Sequence, residues 1–100
     1  MATNNSFSPI GIFDSGLGGL SILNEINKRL PNERLIYFAD SKNAPYGEKP
    51  MEDIVNISKR NTDFLISKGC KLIVVACNTA TTNAISYLRR IYNLPFVGIE

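Results

Sequence analysis

The sequence contains no histidine, so chemistry that needs an imidazole base cannot be completed within these 100 residues. No apolar run approaches the roughly 20 residues that a membrane-spanning helix requires. Residues 1–9 are polar and lack the basic and apolar regions of a secretion signal. We interpret residues 1–9 as a disordered tail, and we predict a protein that is neither secreted nor bound to a membrane.

The net charge is small, and the sequence has only two cysteines. The net charge of +2 is too small to indicate a nucleic-acid partner. The two cysteines form no Cys-x-x-Cys pair, and Asp14, Asp40 and Glu48 have no spacing that requires a cation, so we predict no metal site. Two cysteines without a secretion signal indicate free thiols in a reducing compartment. The sequence therefore predicts a cytoplasmic protein.

From residue 10 onward, apolar runs alternate with helical patterns. The runs predict four strands, at residues 10–13, 35–39, 72–76 and 96–99. The first predicted helix has Leu20, Leu23, Ile26 and Leu30 on one side and ends at Pro31. A second helix follows from Pro50 to about Lys68, with Gly69 as its cap, and a third covers residues 79–92.

Continuous apolar strands separated by helices predict an α/β fold, a parallel sheet with helices on both faces. The run at residues 72–76 is the most apolar, which favours it as a central strand, and the run at residues 35–39 predicts a second buried strand. The sequence stops at Glu100, immediately after a strand. We therefore expect residues 10–100 to be one α/β domain, incomplete, of a longer protein.

Polar side chains follow three of the predicted strands. They are Asp14 and Ser15, then Asp40 and Ser41, and finally Cys77 with Asn78 and Thr79. In open α/β sheets, ligands bind outside the carboxyl ends of the strands. The sequence therefore predicts a site at one edge of the sheet.

Three glycines, Gly16, Gly18 and Gly19, separate the first strand from the first helix. Glycine lets the backbone approach a ligand closely, and helix N-terminal amides bind anions. The dinucleotide pattern fails because Ser21 occupies its last position, and no Gly-Lys-Ser/Thr follows for a phosphate loop. The glycines predict an anion-binding turn or simply a tight one.

Cys77 ends its strand and precedes a predicted helix, whose N-terminal field favours a thiolate. The alternative is an inert buried cysteine, which is common after an apolar strand. Cys70 enters the same strand, and seven strand residues span about 23 Å. The two cysteines therefore cannot face one small substrate or form a disulfide, and we interpret Cys70 as structural.

Three segments resemble motifs of the glutamate racemases, in the family's order and approximate spacing. They are Phe-Asp-Ser-Gly-Leu-Gly-Gly at residues 13–19, Pro-Tyr-Gly at 45–47 and Val-Ala-Cys-Asn-Thr-Ala-Thr at 75–81. The resemblance covers nearly the whole chain from Ile10. The related aspartate racemases share the fold but lack the Asp-Ser-Gly-x-Gly-Gly pattern.

The resemblance implies a cofactor-independent isomerase that interconverts L- and D-glutamate and supplies D-glutamate for peptidoglycan, and so for the cell wall and cell shape. It implies the first of two pseudo-symmetric domains, with Cys77 as one of two catalytic cysteines. The resemblance further implies that the second cysteine lies beside Thr and His in a C-terminal half. Catalytic roles are implied for Cys77 and Asp14, and substrate contacts for Asp14, Ser15, Tyr46, Gly47, Asn78 and Thr79.

Two alternatives stay open. In the first, the protein is a racemase of another small dicarboxylic amino acid, such as aspartate. In the second, it is a non-catalytic ligand-binding relic, if the gene ends at Glu100. The oligomeric state is also open, and a homodimer is one possibility. The 100 residues alone are expected to be inactive, because they carry only one of the two bases.

Overall fold

The computed structural model describes residues 7–16 and 18–99, and in them four strands alternate with three helices. They are β1 (Ile10–Asp14), α1 (Gly19–Arg29), β2 (Leu35–Ala39), α2 (Met51–Ser67), β3 (Leu72–Val75), α3 (Asn78–Ile91) and β4 (Phe96–Gly98). Two short 3-10 turns, Ser41–Asn43 and Tyr46–Glu48, connect β2 to α2. Each predicted element is present, with ends shifted by at most about two residues, as is usual for helix and strand ends.

The four strands form one parallel sheet in the order β2-β1-β3-β4. Phe13 of β1 lies between Phe38 of β2 and Val75 of β3, so β1 is an interior strand. β3 is also interior, because it pairs with β1 on one side and β4 on the other. This confirms the parallel α/β fold and the central place of the most apolar run. The prediction that β2 is buried is wrong, because β2 pairs only with β1 and its side chains are half-buried or exposed.

Alternation along the strands divides the core into two clusters. On one face Ile10 and Ile12 pack against α1. On the other face Phe13, Ile73 and Val75 pack against α2 and α3. Helices on both faces of the sheet are therefore confirmed.

The predicted apolar side of α1 is partly wrong. Leu20 is 59% exposed and Leu30 is 46% exposed, whereas Ile22, Leu23 and Ile26 contact the sheet. The reason is that α1 begins at the buried Gly19, which lies against the Asp14 carboxylate and fixes the rotation of the helix.

Both ends of α2 follow the sequence prediction. Pro50 directly precedes its first residue, and Gly69 adopts a φ of +83° immediately after its last turn. Glycine adopts this left-handed conformation without a steric penalty.

Residues 1–6 of the predicted N-terminal tail lie outside the described residues. Just before β1, Pro9 is buried and its carbonyl accepts the Lys71 N–H at 2.8 Å. No helix within residues 7–16 and 18–99 has the length and apolar character to cross a membrane.

The buried face of α2 carries a testable feature, because the Thr62 hydroxyl is fully buried and has no hydrogen-bond partner within the described residues. Replacing Thr62 with valine keeps the shape and removes this unpaired group. We expect the free energy of unfolding to rise by about 1 kcal/mol. Urea denaturation measures the change, with Ser67→Ala as the exposed control, and a drop in stability would show that the hydroxyl is hydrogen-bonded.

Candidate active site

The carboxyl ends of β1, β2 and β3 meet at one edge of the sheet. The Asp40 N–H donates to the Asp14 carbonyl at 2.9 Å, and the Ala76 N–H donates to the Phe13 carbonyl at 2.9 Å. Asp14, Asp40 and Cys77 therefore follow neighbouring strands at the same level of the sheet. The sequence prediction that these strand ends converge is confirmed.

The Asp14 carboxylate is fully buried, and both of its oxygens accept hydrogen bonds. Oδ1 accepts the Gly16 N–H at 2.7 Å. Oδ2 accepts the Tyr37 hydroxyl at 2.8 Å. Burial, the hydrogen bond and the charge of Asp14 raise the pKa of Tyr37 to about 12, so the hydroxyl keeps its proton at neutral pH.

The glycine-rich turn brings the start of α1 close to the strand ends. Gly16 and Gly18 have φ values of +91° and +88°, the left-handed region that favours glycine. A Cβ on Gly16 would lie 2.8 Å from the Cα of Ser41, and a Cβ on Gly19 would overlap Oδ2 of Asp14. Close packing therefore requires two of the glycines.

Cys77 is half-buried and directly precedes the first residue of α3. Its backbone is extended, with φ −144°, and its carbonyl accepts the Thr81 N–H at 2.9 Å. The thiol therefore belongs to the residue that directly precedes a helix N-terminus. Asn78 and Thr79 form the first turn of α3, where backbone N–H groups have no acceptor within the helix.

Cys77 and the glycine-rich turn share a cavity of about 240 Å³. The residues that line it are Gly18, Ser21, Ile22, Ala76, Cys77, Asn78 and Ile99. It therefore combines a thiol, the side chain of Asn78 and the N-terminal ends of two helices, α1 and α3. A small anionic molecule fits this combination of groups.

The Pro-Tyr-Gly segment lies beside α3 and is fixed by a buried hydrogen-bond network. The Tyr46 hydroxyl donates to Asp40 Oδ2 at 2.5 Å and accepts the Asn61 amide at 2.9 Å. Burial first, and then the Asp40 carboxylate, raise the pKa of Tyr46 far above its usual range. A Cβ on Gly47 would lie 3.9 Å from Thr79 Oγ1, so the backbone of this loop borders α3.

Two of the predicted site residues line the cavity, and the others do not. Cys77 and Asn78 line the cavity, and Thr79 follows them in α3. Asp14 and Ser15 are buried at the end of β1. Tyr46 is 2% exposed and its hydroxyl is bound to Asp40, whereas Gly47 is exposed. 

Sequence reasoning missed two polar residues that hold these groups, Tyr37 and Asn61. Tyr37 lies in an apolar strand, and Asn61 lies among apolar residues on the buried face of α2. A polar group inside an apolar pattern needs a partner when it is buried, and that requirement was the available clue.

Cys70 lies at the other end of β3, where it is buried and a Cβ on Gly11 would lie 2.9 Å from its sulfur. Burial raises the pKa of this thiol. Both Cys70 and Cys77 are free thiols. Across residues 7–16 and 18–99, no group of three or more Cys, Asp or Glu side chains is placed to hold a metal ion.

A larger concavity, of about 650 Å³, lies along α2. Its charged lining mixes Lys49, Lys59 and Arg60 with Asp53 and Asp63, and it contains no thiol. Charges of both signs give no clear preference for a ligand charge. We therefore place the candidate site at the smaller cavity beside Cys77, where the reactive group lies.

Comparison with known proteins identifies related sequences, although no family model matches the chain. A glutamate racemase of Clostridium botulinum (strain Hall) is 55% identical over 92 residues, which are 92% of this chain and 36% of that protein. A glutamate racemase of Campylobacter curvus is 56% identical over 91 residues, which are 91% of this chain and 34% of that protein. The chain therefore spans about a third of the length of these relatives.

The fold is also found in a solved relative. The Thermus thermophilus glutamate racemase, in complex with β-chloro-D-alanine, superposes with a TM-score of 0.91 at 40% identity. The superposition covers 95% of this chain and 37% of that one. By sequence and by fold, the chain belongs to the glutamate racemase family and matches its N-terminal portion.

Proposed function

We propose that the protein containing this chain interconverts L-glutamate and D-glutamate without a cofactor. The observation that carries the proposal is the placement of Cys77, at a helix N-terminus in the cavity that borders the glycine-rich turn. The similarity to glutamate racemases suggests the substrate. The roles of single residues follow from their positions.

In this mechanism the Cys77 thiolate removes the α-proton from one enantiomer of glutamate. The C–H bond breaks, an S–H bond forms, and the electron pair stays on the α-carbon and its carboxylate. A second cysteine, which this proposal assigns to the C-terminal half of a longer protein, then donates a proton to the opposite face. The two thiols exchange these roles in the reverse direction.

The α-proton next to a carboxylate is a weak acid, so the base must be accurately placed and the developing charge must meet fixed donors. The backbone N–H groups of Asn78 and Thr79 are suited to bind a substrate carboxylate at the start of α3. Asp14 assists the Cys77 base, and Ser15, Tyr46 and Gly47 complete the substrate contacts. The product, D-glutamate, serves peptidoglycan synthesis in the cytoplasm.

Hydrogen exchange tests this function. The full-length protein is incubated with L-glutamate in deuterated water without pyridoxal phosphate, and NMR follows the α-hydrogen. We expect deuterium to enter at the α-carbon of both enantiomers. The isolated 100 residues are the control and should form no D-glutamate, because a single base can exchange the proton on one face only and inversion needs a second base on the opposite face.

Three results would contradict the proposal. Absence of exchange by the full-length protein would eliminate racemisation of glutamate. Faster exchange with aspartate than with glutamate, measured side by side, would assign the enzyme to another dicarboxylic amino acid. Turnover by the isolated 100 residues would eliminate the two-cysteine mechanism.

A further inference from the structure

Tyr37 belongs to the edge strand β2, and its hydroxyl reaches the buried Asp14 carboxylate at the end of β1. Its Cα pairs with that of Ile12 on β1, and its side chain lies on the face of the sheet that α1 covers. From there the hydroxyl donates to Oδ2 of Asp14 at 2.8 Å, across 23 positions of sequence. It therefore links the edge of the sheet to a predicted catalytic carboxylate.

Three groups fix the orientation of the Asp14 carboxylate. The Gly16 N–H binds Oδ1, the Tyr37 hydroxyl binds Oδ2, and Gly19 packs so closely that a Cβ there would overlap Oδ2. The contacts of Gly16 and Gly19 come from the adjacent turn, five or fewer positions away in sequence. Tyr37 is the contact that ties the carboxylate to another strand of the sheet.

The Tyr37 hydroxyl stays protonated and can therefore donate its hydrogen bond to Asp14 at all times. Burial, followed by the hydrogen bond to Asp14 and its charge, raises the pKa of Tyr37 to about 12. The hydroxyl therefore carries its proton throughout the pH range in which a cysteine enzyme works. A carboxylate has about four lone-pair sites, so these two bonds leave Asp14 able to accept a further hydrogen bond.

We propose that Tyr37 is a positioning residue, which holds the Asp14 carboxylate in the orientation that the reaction needs. The inference rests on the proposed racemisation. Without the hydroxyl, the carboxylate loses the contact to β2 and can rotate about its side-chain bonds. A misplaced group assists the transition state less, whereas binding of glutamate in the ground state changes little.

The first test is Tyr37→Phe in the full-length protein. Phenylalanine keeps the ring and its packing and removes only the hydroxyl. We expect kcat to fall about tenfold in both directions, with KM unchanged, at equal concentrations of folded protein. Tyr92→Phe is the matched control, because its hydroxyl donates to the exposed Asp63 at 2.6 Å, and it should leave both constants unaltered.

The second test is a double-mutant cycle with Asp14→Asn. If Tyr37 acts through the Asp14 carboxylate, Tyr37→Phe should cause little further loss of kcat in the Asp14→Asn background. A merely structural role would lower kcat by the same factor in both backgrounds. Equal factors would therefore overturn the inference, even if each single variant is impaired.

The wild-type protein separates this inference from the proposed function. If wild type exchanges the α-hydrogen and Tyr37→Phe is equally fast, the positioning role is wrong and racemisation stands. A rise in KM alone would also overturn it, by showing that Tyr37 serves substrate binding. If wild type does not exchange the α-hydrogen, both the function and the positioning role fail together.

Discussion

Replacing Cys77 with serine in the full-length protein is expected to lower kcat for both directions of racemisation by about three orders of magnitude or more. A serine hydroxyl is a far weaker acid than a thiol, so it forms almost no anion near neutral pH and returns a proton poorly. Both directions suffer because one cysteine is the base in one direction and the acid in the other. Polarimetry or a coupled assay of each enantiomer measures the loss.

The second cysteine of the chain provides the control. Cys70→Ala removes a buried sulfur at the opposite end of β3 and should retain kcat per folded molecule. It should cost about 1 kcal/mol of unfolding free energy, because it leaves a small cavity. Near-normal racemisation by Cys77→Ser would remove Cys77 from the mechanism, and a comparable loss in Cys70→Ala would show that the assay reports folding.

Gly19→Ala is the second change with a large expected effect. The added Cβ would overlap Oδ2 of Asp14 and lie 3.0 Å from its Cβ. Because Asp14 is fully buried, the collision must be relieved by a shift of α1 or by rotation of the carboxylate. We expect the free energy of unfolding to fall by about 3 kcal/mol, and kcat to fall about a hundredfold.

Gly18→Ala separates this collision from the general effect of replacing a glycine. A Cβ on Gly18 meets no atom within 4 Å among the described residues, although its φ of +88° disfavours alanine. Its stability should therefore drop by only about 1 kcal/mol. Chemical denaturation compares the two variants, and equal losses would mean that backbone strain outweighs the contact with Asp14.

The sheet and the place of the site were predictable because they follow from local patterns. Four apolar runs and their intervening helices specify parallel strands, and the polar residues after the runs specify one edge. Hydrophobicity alone did not reveal that β2 is an edge strand, because strand order depends on pairing between distant segments. The rotation of α1 depends on the contact of Gly19 with Asp14, which periodicity does not contain.

The groups that hold the site residues were not predictable in the same way. Tyr37 and Asp14 are 23 positions apart, and Asn61 and Tyr46 are 15 apart. Each pair meets only after the strands and α2 have packed. The family motifs identify Asp14 and Tyr46, whereas Tyr37 and Asn61 lie in segments that look like ordinary strand and helix.

The parallel sheet also separates the chain's connections into two groups, with consequences for protein engineering. Connections that lead from strand to helix carry the polar groups of the site, whereas those that lead from helix to strand lie at the opposite edge. Between α1 and β2, Pro31 and Asn32 form an exposed turn, about one strand length, or roughly 17 Å, from the carboxyl edge. A fluorescent reporter or affinity tag is best inserted there, where added length leaves the surroundings of Cys77 untouched.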